Sequence, residues 1–461
     1  MEESEKAKLY QRIVRRTPDF ILLERMRVHG FWPSGQGLPP DPATELSERD
    51  QLEAKLADLR KQYTQVKDVK KALAEEHKRR MAESKARRAK RKAERLEEAA
   101  KRRAAWAARR ATHIDFIGEG VGGGLPEQTS DAARLATLGL PLLHDASALA
   151  SALGISIGTL RWLTYHRRGA TLVHYHRYDI AKKTGGARCI SAPKPALDRA
   201  QHWILESILA RLPVEPHAHG FVTGRSIVTN ASPHTGRKVV ANLDLKDFFP
   251  SISFRRVKGL FHKMGYGGQV ATLLSLLCTE PPRLAADVAG KTRFYVALGD
   301  RVLPQGACTS PALTNLLCRR LDKRLAGLAV KLNFQYTRYA DDLTFSGDNP
   351  EDAAKVLGIA RRIVAAEGLV VHPKKTRLMR RGRRQEVTGL VVNDAPHLPR
   401  KELKQLRAIL HNAARHGLAS QNRDHHPDFV AYLRGRVAFA CMVDPRRAPQ
   451  WQAALSKALA T

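Results

Sequence analysis

The segment FQYTRYADDLTFSG, residues 334–347, constrains this chain more than any other. Two runs rich in aromatic and β-branched residues flank Tyr339-Ala340-Asp341-Asp342. That pattern predicts a β-hairpin with two adjacent carboxylates at its turn. Neighbouring carboxylates repel each other, and folding gains nothing from placing them at the end of two apolar strands. A divalent cation would relieve the repulsion. A polar hairpin turn, which commonly carries Asp, is the plainer reading of this segment taken alone.

A second segment adds a third acid. Lys238 to Leu243 reads as a buried strand, and Asp244 stands at its exit. If this strand lies beside the hairpin, Asp244 meets Asp341 and Asp342. Three carboxylates could then hold two Mg²⁺ ions roughly 4 Å apart, one at a primer hydroxyl and one at the triphosphate. Asp247 fits a surface or capping acid and is not assigned as a ligand.

These segments resemble the polymerase motifs of reverse transcriptases over roughly residues 165–461. Asp244 stands for the family's first metal-binding acid, and Tyr339 to Asp342 for its YxDD box. Leu303 to Pro311, LPQGACTSP, resembles the PQG-x-x-x-SP motif, which implies that Gln305 and Gly306 pack template base and nascent pair. The physical expectation is that Gly306 leaves room for a base and Gln305 offers donors and acceptors; a loop capping the next helix reads the same residues equally well. Phe249 matches the ring that blocks a nucleotide 2′-hydroxyl, with a core aromatic as the alternative. Lys182 to Pro193 reads as a fingers hairpin turning at Gly185-Gly186, with Lys183 and Arg188 closing on the triphosphate. In Gly368 to Thr376, Lys374 or Lys375 could protonate leaving pyrophosphate; Lys374 is carried forward as the nucleotide-binding candidate.

Two shorter marks resemble the retron branch of bacterial reverse transcriptases, and the long stretch before the fingers resembles its longer, myxobacterial-like members. Asn230-Ala231-Ser232-Pro233-His234 matches its NAxxH element, and Val387-Thr388-Gly389 its VTG element. The resemblance implies that Asn230, His234, Val387, Thr388 and Gly389 serve in recognising a stem-loop of a cognate noncoding RNA. It also implies priming from a guanosine 2′-hydroxyl and a branched RNA–DNA product, multicopy single-stranded DNA. By the same resemblance, the RNA–DNA hybrid is expected to stay with the enzyme, deoxynucleoside triphosphates to be the substrates, and phage defence with a separate effector protein to be the biological setting. The tail is too short for a ribonuclease H domain, so a host ribonuclease H is expected to remove copied template.

Charge agrees with a polyanionic partner. Lys and Arg number 79 against 45 Asp and Glu, a formal net charge of +34. Such a chain repels itself unless phosphates neutralise it; an anionic membrane surface is the alternative. The five cysteines, Cys189, Cys278, Cys308, Cys318 and Cys441, form no CxxC pair and read as reduced thiols, suggesting no zinc site. The charged N-terminus is no signal peptide, and no apolar run reaches the roughly 18 residues of a membrane span. A cytoplasmic protein without membrane contact is expected.

The implied fold class is α+β, a right-hand polymerase with fingers, ferredoxin-like palm and helical thumb, preceded by a long basic helical extension. Expected boundaries are an N-terminal segment 1–46, a basic helix or short coiled coil 47–112, and a lead-in 113–164. Fingers follow at 165–237, palm with further fingers elements at 238–395, and thumb at 396–461. Leu52, Leu56, Leu59, Tyr63, Val66 and Leu73 fit a heptad, as a coiled coil or as a helix laid on the body. From Lys78 to Arg110 there are 15 Lys/Arg and 4 Asp/Glu, suited to an RNA-binding arm. GEGVGGG, 118–124, reads as a flexible hinge. The competing functions are a group II intron or abortive-infection reverse transcriptase, and a catalytically silent RNA-binding scaffold.

Overall fold

The computed structural model describes residues 18–33, 35–38, 43–63, 69–181, 185–288 and 292–460. The chain forms two compact units, Met1–Ala104 and Ala105–Thr461. The first holds α1 (Pro18–Val28), α2 (Ala43–Tyr63) and most of α3 (Val69–Thr112). Helix α2 starts at Ala43, before the expected boundary at 47, and residues 64–68, with Val66 of the heptad, lie outside the described residues. Leu52, Leu56, Leu59 and Leu73 are exposed.

The second unit opens with α4 (Ala132–Thr137), α5 (Ala146–Ala152) and α6 (Ile157–Thr164). Each begins on a side-chain cap, from Asp131, Asp145 and Ser156 respectively. The glycine run before them is not a hinge. Ile117, Val121 and Leu125 are buried around it. Gly124 (φ +105°) packs against the backbone of Gly268, and Gly123 accepts from Lys258 and Thr272. Glycine here permits close backbone approach rather than motion. Among the described residues no single helix is long and apolar enough to cross a membrane. Only the pair α5–α6, bent by 100°, passes by length and composition, and much of it is buried.

Then follow β1 (Gly169–Ala170), β2 (Tyr175–Ala181), β3 (Ala187–Pro193), α7 (Pro195–Ser207), α8 (Ile227–Ala231) and β4 (Val239–Asp244). Next are α9 (Phe254–Met264), α10 (Gly268–Cys278), β5 (Arg283–Val288), β6 (Thr292–Ala297), α11 (Thr309–Leu317) and α12 (Arg319–Lys331). The hairpin predicted from sequence is β7 (Phe334–Tyr339) and β8 (Asp342–Gly347). After it come α13 (Asp352–Ala366), β9 (Arg377–Arg380), β10 (Glu386–Val387) and β11 (Leu390–Val391). Three helices end the chain: α14 (Arg400–His416), α15 (Phe429–Val443) and α16 (Ala448–Leu459).

The central sheet has the order β7-β8-β4-β9, every pair antiparallel. With helices between β4 and β7 and α13 between β8 and β9, this is the ferredoxin-like palm. Strand alternation decides what each face carries. Val239, Ala241, Leu243, Phe345 and Tyr336 point into the main core with the helices. Val240 points the other way, into a second core built by Leu406, Leu410, Val437, Ala440 and Trp451 of the final helices. Asn242, Asp244, Asp342, Thr344 and Ser346 share that second face by parity.

Candidate active site

Asp244 lies directly opposite Asp342 in the β4–β8 pair, and Tyr339 opposite Asp342 across the hairpin. Ala340 and Asp341 form the two-residue loop, and the amide of Leu245 donates to the Asp341 carbonyl at 2.8 Å. All three carboxylates therefore emerge at one end of the sheet.

Their electrostatics reflect this crowding. Burial first, then the Asp341 and Asp244 charges, push the Asp342 carboxyl up to about 7. Asp341 is also raised, by burial and by Asp244, against the opposing charges of Lys375 and Arg188. The Lys375 ammonium sits 3.0 and 3.1 Å from the two Asp244 oxygens. A cation is already drawn to the acids, and the all-oxygen donor set suits a hard divalent ion. Lys375, not Lys374, is the lysine brought to the acids. Lys374 is exposed and its backbone amide donates to His372.

The loop is held from behind. Ala340 has φ +55°, a left-handed conformation that costs a non-glycine residue about 1–2 kcal/mol. Arg338, on the core face of β7, is fully buried and forms a two-pronged ion pair with buried Asp322 of α12, both contacts 2.8 Å. Its third nitrogen donates to the Ala340 carbonyl at 3.2 Å and to Asn315 at 3.1 Å. Asn315 in turn donates to the Gly220 carbonyl. A Cβ on Gly220 would stand 2.5 Å from the Ala340 nitrogen, so only glycine fits there. Arg338, Asp322 and Asn315 were not singled out from sequence. The available signal was a lone charged residue, the arginine, in an otherwise uncharged strand.

Around the acids, Phe221, Phe249 and Tyr339 form a ring cluster, with centroids 6.3 Å (Phe221–Phe249) and 6.4 Å (Phe221–Tyr339) apart. Phe248 is buried core, whereas Phe249 is half-buried beside the exposed Phe221. Arg188 is exposed on β3. Lys183 lies outside the described residues. Gly306 corrects the expected reason for its glycine. Its φ is +117°, and a Cβ would meet Ile190 at 2.8 Å and the Ser191 carbonyl at 3.0 Å, not an approaching base. The Gln305 carbonyl accepts from the Ser191 amide at 2.6 Å, tying this loop to β3.

The two retron marks meet each other. Thr388 (φ +46°) and Gly389 (φ +82°) form the two-residue turn of the β10–β11 hairpin, as a primed turn requires. Asn230 of α8 donates to the Thr388 hydroxyl at 3.5 Å. Asn230, His234 and Val387 are buried, and of these five residues only Thr388 and Gly389 reach the surface. His234 instead bridges Ser346 at 2.6 Å and Thr337 at 2.8 Å, and burial lowers its imidazole to about 3, keeping it neutral.

Residues 180–407 match the family model for reverse transcriptase (RNA-dependent DNA polymerase). With the palm and its three acids, this places the chain in the class of RNA-directed DNA polymerases, a family that normally uses divalent metal ions. The retron Mx162 reverse transcriptase of Myxococcus xanthus is 46% identical over 370 residues, 75% of each chain. The Mx65 enzyme of the same organism is 47% identical over 69% of this chain and 73% of its own. The Ec86 enzyme of Escherichia coli is 33% identical over 68% and 89%. The chain belongs to the retron reverse transcriptases and is of the myxobacterial-like kind.

Proposed function

We propose that this polymerase copies part of a cognate noncoding RNA into branched multicopy single-stranded DNA, starting from a guanosine 2′-hydroxyl, in the service of phage defence. The observation that carries the catalytic part is the placement of Asp244 opposite Asp342, next to Asp341, with two of the three carboxyls raised by burial and, second, by mutual repulsion. In this reading Asp244, Asp341 and Asp342 hold two Mg²⁺ ions. When bound, the ions lower the pKa of the attacking hydroxyl and neutralise charge on the departing pyrophosphate. Lys375, freed from Asp244, is placed to protonate that pyrophosphate. Arg188 binds triphosphate oxygens from the β2–β3 hairpin, and Lys183 is assigned beside it from sequence.

Phe249 has its ring beside Phe221 at the rim of the acid cluster and discriminates against a 2′-hydroxyl. Phe249→Val is expected to lower the preference for deoxynucleotides over ribonucleotides by roughly 10–100-fold. Single-nucleotide insertion with each sugar measures it, and an unchanged ratio would remove Phe249 from this role. The turn at Thr388-Gly389 faces the RNA stem-loop, with Asn230, Val387 and His234 holding it in place. The basic face of α3 binds RNA phosphates. A host ribonuclease H trims the copied template, and a separate effector acts in defence.

The test uses purified protein, Mg²⁺, the four deoxynucleotides and RNA transcribed from the locus beside the gene. The expected product is DNA joined to RNA, released as shorter DNA only after debranching enzyme opens the 2′–5′ linkage. Product insensitive to debranching, or primed only by an added 3′-hydroxyl, would overturn 2′-hydroxyl priming.

A further inference from the structure

Away from the three acids, three donors of different chemistry converge between α7 and the start of α11. Asp198 and His202 stand four residues apart on one face of α7, and Cys308 precedes α11. His202 Nδ1 lies 3.4 Å from Asp198 Oδ1 and 3.8 Å from Cys308 Sγ. The donor atoms of all three lie within 4.8 Å of one another. Tetrahedral zinc, with Zn–S about 2.3 Å and Zn–N or Zn–O about 2.0–2.1 Å, sets N···S near 3.6 Å and N···O near 3.3 Å. The observed spacings need shifts of only a few tenths of an ångström.

We propose that Asp198, His202 and Cys308 form a binding site for a zinc-class divalent ion that clips α7 to the loop carrying Gln305 and Gly306. The donor set of thiol, imidazole and carboxylate selects a borderline-soft metal over magnesium. Residues from two distant parts of the chain supply it, so binding ties them together. The His202 and Asp198 side chains are 50% and 41% exposed, which leaves a path for entry and a fourth position for water. His202 Nδ1 also lies 3.0 Å from the Asp198 carbonyl, a local contact it gives up when it turns its lone pair to metal.

The loop is already fastened to β3 by the Ser191 amide and Gln305 carbonyl. Helix α7 begins two residues after β3 ends. A metal bridge at Cys308 would fasten the same loop a second time, three residues on. It would make template-loop order depend on metal and on the redox state of one thiol. Binding converts the thiol to a thiolate and releases one proton to water; no electron is transferred.

The experiment uses the full chain, reduced, freed of metal with a chelator, and carrying Asp341→Asn and Asp342→Asn so that the palm acids take no ion. Co²⁺ is titrated for the near-ultraviolet thiolate-to-metal band, and Zn²⁺ against a chromophoric chelator. One equivalent with a thiolate band is expected, along with a Zn²⁺-dependent rise in Tm of several degrees. Cys308→Ser should abolish the band. His202→Gln should weaken Zn²⁺ at least tenfold. Cys441→Ser, at a free thiol on α15, should retain both. A spectrum without a thiolate band, or a band that survives Cys308→Ser, would overturn the proposal. Should Cys308→Ser fail to fold, Asp198→Asn and His202→Gln decide by the same band and affinity. None of these readings depends on polymerase activity.

Discussion

Asp342→Asn is expected to abolish DNA synthesis while making the metal-free protein more stable at pH 8. Asparagine keeps the shape of the side chain and removes its charge. The Asp342 carboxyl, pushed up to about 7 by burial and by Asp341 and Asp244, has an ordinary value of 3.8. Between those values the folded state keeps a proton that the unfolded chain has lost. Stability is therefore highest below pH 3.8, falls as pH rises through the window, and carries the whole penalty by pH 8. The penalty is at most about 4 kcal/mol, at 1.36 kcal/mol per unit. A divalent cation offsets it in the working enzyme; asparagine removes it without one. Chelator-treated wild type and variant should differ in Tm at pH 8, with the gap narrowing towards pH 5. Synthesis should fall on the order of 10³-fold or more, with RNA affinity retained. A variant that still makes DNA would disprove the catalytic assignment. One that melts lower than wild type at pH 8 would disprove the like-charge account while leaving that assignment standing.

Arg338→Met should damage both stability and catalysis, for separable reasons. Arg338 and Asp322 are both fully buried and joined by two contacts of 2.8 Å. Removing one partner leaves an uncompensated charge in the core, a loss of about 3–5 kcal/mol. Native stabilities are about 5–15 kcal/mol, so the folded population suffers directly. Replacing both members, as Arg338→Met with Asp322→Leu, removes the stranded charge and should recover much of the stability. It cannot restore the donor to the Ala340 carbonyl, which holds the strained turn beneath Asp341. The double variant should therefore fold yet remain slow, with a raised Mg²⁺ requirement. Denaturant unfolding and Mg²⁺ titration of activity give the two readouts. Full activity in the folded double variant would show that Arg338 serves the core alone.

The distance along the chain over which a feature is decided explains what was legible. The hairpin at 334–347 is local: period-two alternation and a polar turn specify it, and the structure pairs Phe334–Tyr339 with Asp342–Gly347. The strand ending at Asp244 is equally local. That the two lie side by side, with Asp244 against Asp342, came from motif order in a known family, since no local pattern specifies a register between segments so far apart.

Where local chemistry looked alike, tertiary packing chose. Lys374 and Lys375 are indistinguishable as neighbours, and only the turn after His372, whose amide donates to the Asp244 carbonyl, brings Lys375 to Asp244. GEGVGGG has the composition of a hinge, yet its glycines allow close packing against α10. Gly306 makes room for Ser191 and Ile190 rather than for a base. Cys308 carries no CxxC signature, and its companions lie more than a hundred residues away. By itself, the sequence determined which residues could bear charge, bind metal or turn a chain. The folded structure decided which of them face one another and which are shut away from water, because burial and contact across distant segments depend on how the whole chain packs.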